Sequence, residues 1–300
     1  MPATFVFTEI LTYAIAALFI HHAIKRRMLA VLITAMAYGF LLEFHTVKTE
    51  TAYCYGQFLI MLPPWPAPAE PTCLVGARVP LWGSVVWGYF IYGAMMTSSR
   101  LEMPWAARPL LDGLLVLTYD WVLDPVAGKL GFWTWSTPGS WFGIPLDNYF
   151  GWFMVVAAFS FVFRWLQRRW PLNTRGAAWD TMVLVLTVLL ALVILGVALE
   201  IYVRLAARGV SQEILLWGTL GAALAATLPW FIRARGNERP AVVFLATVLT
   251  HHLYNGALLV YSGLWREEPT LNLVWAVSMT LALIGYGWPY ARLGLPARSA

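Results

Sequence analysis

Two aspartates four residues apart are the clearest candidates for chemistry. Asp120 and Asp124 occur in an apolar run, and this spacing places both side chains on one face of a helix. Because neighbouring carboxyl groups repel as charges, one tends to keep its proton near neutral pH, and a general acid needs such a proton. Pro125 follows directly and is expected to end the helix hydrogen bonding. The alternative is that both carboxyl groups only cap and solvate the helix end.

An aromatic segment, residues 131–152, follows the aspartates, and its glycines and prolines exclude a continuous helix. Flat apolar ring faces come from four tryptophans: Trp133, Trp135, Trp141 and Trp152. Asp147 and Asn148 are embedded among these rings. An aromatic belt at the lipid headgroups explains one or two tryptophans. The ordered run with polar residues inside it favours a loop that encloses a ligand.

Two further polar groups are weaker candidates. Glu43 and His45 lie near the end of one apolar run, and His251 and Asn255 share a face of another. Histidine and carboxylate side chains are common metal ligands, but the spacing of known zinc motifs is missing. We therefore expect no metal, and hydrogen bonding inside a pocket is the default interpretation.

The elements that carry these residues are predicted from composition. Of the 300 residues 60% are hydrophobic and 12% are charged, whereas an ordinary soluble domain is about a quarter charged. Nine apolar runs are each long enough to span a bilayer, at about 3–24, 28–47, 80–98, 107–127, 148–167, 178–203, 211–232, 241–263 and 270–290. The prediction is an all-α polytopic transmembrane bundle of about nine spans, forming one integral membrane domain over residues 1–300.

The distribution of Lys and Arg predicts the orientation. Fourteen of the 20 basic residues fall in the loops after runs 1, 3, 5 and 7 or near the C-terminus. By the positive-inside rule, the N-terminus is outside and the C-terminus is cytoplasmic, in a multi-pass protein of the plasma (inner) membrane. The basic residues form no stripe with exposed aromatics, so nucleic acid is not an expected partner.

The same orientation gives each ionisable side chain a depth. Glu9, Glu43, Asp120, Asp124 and Glu200 all fall in the outer halves of their runs, with His251 and Asn255 from the middle outward. Charged groups in a bilayer normally face a bundle interior or cavity. One polar pocket is therefore expected near the outer leaflet, under the loops that join runs 2–3 and 4–5. Cys54 and Cys73 share the first loop, where a disulfide and two free thiols are both plausible.

The sequence resembles the membrane-integral carotenoid biosynthesis proteins, which include bisanhydrobacterioruberin hydratase and γ-carotene 1′-hydratases. The matching residues fall in run 4 and the loop after it: Asp120, Asp124, Pro125, Gly128, Trp133, Trp135, Gly139, Trp141, Gly143, Pro145, Asn148, Gly151 and Trp152. The motif covers about a tenth of the chain, and outside it only the order of the apolar runs agrees. Glu43, His45, His251 and Asn255 therefore rest on the depth argument alone.

The resemblance implies a reaction without a cofactor, the addition of water to the terminal 1,2 double bond of a linear carotene. Such hydration needs a proton donor, a lining that tolerates a tertiary cation and a positioned water. Asp120, Asp124, Glu43 and His251 are the catalytic candidates. The candidates for substrate binding are Trp133, Trp135, Trp141, Pro145, Asn148, Trp152, His45 and Asn255.

Two other functions are compatible with the same residues. A carotene end-group cyclase uses the same acid and aromatic lining but excludes water. A non-catalytic carotenoid-binding subunit needs no acid. The sequence indicates the bilayer and a linear carotene as partners and leaves the oligomeric state open.

Overall fold

A computed structural model describes residues 2–49, 53–62, 78–236, 238–239 and 241–291 of the chain. Among them are nine helices of 18 residues or more, one for each predicted apolar run. In chain order the helices are α1 (Ala3–Lys25), α2 (Leu29–Thr49), α3 (Leu81–Ser98), α4 (Arg108–Leu130), α5 (Leu146–Arg169), α6 (Ala177–Ala207), α7 (Gln212–Arg233), α8 (Val242–Tyr261), the short α9 (Leu264–Glu267) and α10 (Pro269–Ala291). The all-α helical bundle is therefore confirmed.

Seven of the described helices are long and apolar enough to cross a membrane: α1, α2, α5, α6, α7, α8 and α10. The two other long helices, α3 and α4, lie inside the bundle, where α3 packs on α2 and α4, and α4 packs on α5 and α10. Neither exposes a large hydrophobic side chain, whereas α6 exposes Val193, Val197 and Ile201. Because α3 and α4 face protein rather than lipid, their polar residues meet partners instead of hydrocarbon.

Four short strands connect the helices at one end of the bundle: β1 (Tyr53–Tyr55), β2 (Met61–Leu62), β3 (Val79–Pro80) and β4 (Trp133–Trp135). Strand β1 pairs antiparallel with β4, so that Tyr53 lies opposite Trp135 and Tyr55 opposite Trp133. We call this pair the ribbon. The ribbon joins the α2–α3 loop to the α4–α5 loop, which are the two loops predicted to cover a pocket.

Side chains alternate along a strand, so those of the ribbon lie on two opposite faces. Residues two apart on a strand share a face, so Tyr53 and Tyr55 point one way and Cys54 the other. Cys54 is disulfide-bonded, and Cys73 lies outside the described residues. The backbone next to the ribbon is held by Glu9 of α1, whose buried carboxyl accepts hydrogen bonds from the amides of Leu59 and Ile60.

Pro125 does not end α4, as the sequence analysis expected. The helix continues to Leu130 and stops at Gly131, a left-handed residue with φ of 74°. Proline has no N–H, so it leaves the carbonyl of Trp121 without its usual helical donor. The indole Nε1 of Trp141 donates to that carbonyl at 3.4 Å. A side chain from the aromatic segment thus replaces the missing helix bond.

Candidate active site

A cavity of about 310 Å³ lies beneath the ribbon, between α2, α3, α4, α5 and α6. Its polar wall carries Glu43, Tyr53, Asp124 and Asn148. Five tryptophan rings also line the cavity: Trp82, Trp87, Trp133, Trp135 and Trp152. Its aliphatic lining residues are Leu42, Val155, Leu195 and Leu199. The lining of the cavity therefore combines carboxyl groups, aromatic rings and aliphatic side chains.

The aspartate pair of α4 is fully buried, with Asp120 at 0% and Asp124 at 2% exposure. The two carboxyl groups interact directly, as their spacing predicted. Asn148, in the first turn of α5, donates its Nδ2 to both: the bond to Asp120 Oδ2 is 3.1 Å, and a short bond reaches Asp124 Oδ2. Asp120 Oδ1 has no hydrogen-bond partner among the described residues. One amide therefore holds two contacting carboxyl groups, which excludes the interpretation that they only solvate a helix end.

Glu43 of α2 is held by three donors. The hydroxyl of Tyr55 donates to Oε2 at 2.8 Å, the indole Nε1 of Trp87 donates to Oε1 at 2.7 Å, and the hydroxyl of Tyr53 makes a short bond to Oε2. Burial and the adjacent Glu43 carboxyl raise the pKa of Tyr53 well above its ordinary value, so its hydroxyl keeps the proton that it donates. These bonds fix the Glu43 carboxyl as an acceptor.

No lysine or arginine occurs among the described residues that line the cavity, although Glu43, Asp124 and Asp147 all do. Buried carboxylates without a counter-charge are expensive, and a retained proton removes that cost. The geometry therefore suits acid chemistry better than the binding of an anion.

The tryptophans of the aromatic segment divide into two groups. Trp133 and Trp135 stand on the ribbon and line the cavity, and Trp152 of α5 lines it while contacting the ring of Trp87 at 4.4 Å between centroids. Trp141 does not line the cavity; it packs against Trp121 and Trp217. Its predicted part in substrate binding is therefore not supported by its position.

Two further residues of the aromatic segment determine the course of its backbone and do not line the cavity. Pro145 is the residue from which α5 begins, with φ of −64°, and it does not line the cavity. Gly143 adopts φ of 85° in the tight turn before it, a conformation that favours glycine.

The polar residues assigned by depth alone do not all meet in one pocket. His45 lines the cavity at its exposed edge. His251 lies in a second buried cluster, where its Nε2 shares a 2.8 Å hydrogen bond with the Tyr89 hydroxyl. Asn255 Nδ2 donates at 3.3 Å to the backbone oxygen of Tyr119. The expectation of a single pocket was wrong for these two residues, because depth along a helix says nothing about which neighbour the helix face meets.

Glu9 and Glu200 also lie away from the cavity. Glu9 holds the backbone at Leu59 and Ile60. Glu200 faces outward from α6 and pairs with Arg204 at 2.6 Å, both side chains being more than half exposed.

Comparison with known proteins agrees with the resemblance in the aromatic segment. The family model for carotenoid biosynthesis proteins matches residues 4–216, which is more than two thirds of the chain. The chain belongs to the carotenoid biosynthesis protein family. No curated protein and no solved structure matches this carotenoid biosynthesis protein. Every residue that lines the cavity falls inside the matched range, whereas His251 and Asn255 fall outside it.

Four aromatic lining residues of this carotenoid biosynthesis protein were missed from the sequence: Trp82, Trp87, Tyr53 and Tyr55. Trp87 is inside an apolar helix, and Gly39 of α2 permits its close approach, since a Cβ at Gly39 would collide with the Trp87 side chain. The Tyr-x-Tyr alternation was the available signal for the two tyrosines, because it places both hydroxyls on one face of a strand.

Proposed function

We propose that this member of the carotenoid biosynthesis family adds water across the terminal 1,2 double bond of a linear carotene and forms a tertiary alcohol. The observation that carries the proposal is the buried Asp120–Asp124 pair, held by Asn148 beside an aromatic cavity without a lysine or arginine among its described lining residues. A contacting pair of carboxyl groups can share one proton at neutral pH. That proton is the reagent that hydration of an alkene requires first.

The first step is protonation. The Asp124 O–H bond breaks and the π electron pair of the alkene forms a C–H bond, which leaves a tertiary cation at the neighbouring carbon. The ring faces of Trp133, Trp135 and Trp152 line the cavity next to Asp124 and stabilise that cation, by about 0.5–2 kcal/mol per ring.

The second step is capture by water. A water oxygen forms the C–O bond, and the surplus proton returns to the carboxyl pair, so that the alkene and one water give one alcohol without oxidation or reduction. Asn148 keeps its side-chain oxygen as an acceptor for this water, because its Nδ2 is occupied by the two aspartates. Glu43 completes the polar wall as a fixed acceptor. The reaction uses no cofactor.

We further propose that α3 and α4 cross the bilayer with the other seven helices, in one integral domain with the N-terminus outside the cell and the C-terminus in the cytoplasm. Nine crossings put the termini on opposite faces of the plasma membrane, and the basic loops are on the cytoplasmic face. The ribbon and the cavity then lie toward the outer leaflet. Accessibility of terminal tags from outside intact cells tests this: two tags on the same face would contradict nine spans.

The reaction is tested by expression in a lycopene-producing host, followed by mass analysis of extracted pigments. Hydration predicts a product heavier than lycopene by one water. A product of unchanged mass with a cyclised end group would favour the cyclase instead. Copurified, unmodified lycopene would favour a binding subunit.

A further inference from the structure

The cavity is too small for a whole carotene. Its volume is about 310 Å³, and a cavity of roughly 150 Å³ holds one benzene molecule. The available space therefore accepts an end group with a few further carbon atoms. A linear carotene is many isoprenoid units long, so most of the polyene must lie elsewhere when its end is in the cavity.

The apolar side of the cavity shows where the remaining chain fits. Leu195 and Leu199 come from α6, which packs on α5 and α2 and separates the cavity from the surrounding bilayer. The other face of α6 exposes Val193 and Val197, at 61% and 55%. A single helix thus stands between the carboxyl groups and lipid.

Exposure varies within this apolar part of the lining. Leu195 of α6 is buried, whereas Leu199 one turn further along α6, Leu42 of α2 and Gly151 of α5 are partly exposed. Gly151 adds room next to Leu199, since the nearest atom to a Cβ there is Leu199 Cδ2 at 4.0 Å. We call the partly exposed stretch of lining formed by Leu42, Gly151 and Leu199 the side mouth.

Resting on the proposed function, we infer that the site recognises only the terminal segment of an acyclic isoprenoid, while the rest of the chain leaves through the side mouth into the bilayer. The substrate class is then any long or short apolar chain that ends in the same trisubstituted alkene. The far end of the substrate does not contact the lining residues, so its structure does not affect which substrates are accepted.

The test compares lycopene with myrcene, a monoterpene hydrocarbon that has the same terminal alkene and is short enough to fit inside the cavity. The wild-type protein in membranes should hydrate both. Leu199→Trp should narrow the side mouth and lower conversion of lycopene by about tenfold or more, while conversion of myrcene changes by less than about threefold. Gly151→Leu narrows the mouth from α5 and should give the same selectivity.

Two controls place the same new side chains on the lipid face of α6. Val197→Trp changes a residue two positions from Leu199. Gly196→Leu changes a glycine at which no other atom lies within 4 Å of an added Cβ. Both should leave the ratio of the two conversions unchanged. A wild-type protein that hydrates lycopene but not myrcene would overturn the inference, and so would Leu199→Trp acting equally on both substrates or on neither.

Bound pigment separates this inference from the proposed reaction. If the wild-type protein retains lycopene on purification but hydrates nothing, the reaction is refuted. Retention then decides the inference by itself: loss of lycopene from Leu199→Trp but not from Val197→Trp supports the side mouth, and equal retention overturns it.

Discussion

Helix α4 carries buried carboxyl groups toward both ends, and their surroundings differ. Asp112 lies 3.0 Å from Arg164 Nη2 and accepts a 2.6 Å hydrogen bond from Ser160. Asp120 and Asp124 have an amide, Asn148, and each other. The first site balances charge with charge, whereas the second has carboxyl groups beside a cavity and no guanidinium partner in the described part of the chain.

Under the proposed function, this difference separates a structural acid, Asp112, from a chemical one, the Asp120–Asp124 pair. An ion pair fixes a carboxylate in its charged form, and a carboxylate has no proton to give. Arg164 also donates to the hydroxyls of Ser98 and Ser99, so the Asp112 site ties α3, α4 and α5 together. At the other site Asp124 lines the cavity, whereas Asp112 does not. Burial is common to both, so it is the partner that indicates the role.

The largest expected effect tests the chemical end of α4. Asp124→Asn keeps the shape of the side chain but removes the transferable proton, so hydrated carotenoid should fall by about a hundredfold to ten-thousandfold with the protein still in the membrane. Asp120→Asn should also lower it, because the pair shares that proton. Pigment analysis normalised to membrane protein measures both. Unchanged pigment in both variants would refute acid catalysis by this pair.

The next effect tests the structural end. Asp112→Asn leaves Arg164 buried without its counter-charge, which should lower the free energy of unfolding by about 3–5 kcal/mol. Thermal unfolding in detergent and the yield of membrane protein measure the loss, while activity per folded molecule stays unchanged. The double variant Asp112→Leu with Arg164→Leu should recover stability, because neither member of this ion pair is left buried without its partner. A drop in activity per folded molecule would contradict the division between the two ends.

The sequence predicted much of the fold and one of the two carboxyl sites compared above, the Asp120–Asp124 pair. The nine apolar runs have the length and composition of helices, and each corresponds to a described helix. The spacing of four placed Asp120 and Asp124 together, because contacts within a helix follow from its period. The expected pocket beneath the α2–α3 and α4–α5 loops lies where β1 pairs with β4.

Contacts between distant segments could not be predicted in the same way. The three donors on Glu43 come from β1 and α3, and only packing brings them to α2. His251 was assigned to the pocket by its expected depth, but its side chain contacts Tyr89 and does not line the cavity. Pro125 was expected to end α4, and the rescue of the Trp121 carbonyl by Trp141 is a tertiary contact that no local rule contains.

A third prediction concerns the Glu43 carboxyl group, which has three neutral donors and no cationic partner among the described residues. Glu43→Gln places an amide N–H₂ among Tyr53, Tyr55 and Trp87, so that at least one donor faces another donor. The variant should lose about 1–3 kcal/mol of unfolding free energy, and turnover should fall with the displaced polar wall. Glu200→Gln is the control, because Glu200 pairs with Arg204 on the exposed face of α6 and such pairs contribute about 0–1 kcal/mol. Equal stability of the two variants would show that the three donors do not hold Glu43.

The smallest effect separates the two groups of tryptophans. Trp133 lines the cavity with Asp124, whereas Trp141 supports the Trp121 carbonyl outside it. If ring faces stabilise the cation, Trp133→Leu should slow turnover by about 2-fold to 30-fold, corresponding to 0.5–2 kcal/mol, while Trp133→Phe retains part of the rate. Trp141→Leu should lower thermal stability and leave turnover per folded molecule unchanged. Initial rates and melting curves on the same membrane preparations distinguish these outcomes. If Trp133→Leu lost protein and kept its rate per folded molecule, the ring would serve the ribbon and not the cation, and the stabilisation would have to come from the other lining rings and the carboxyl groups.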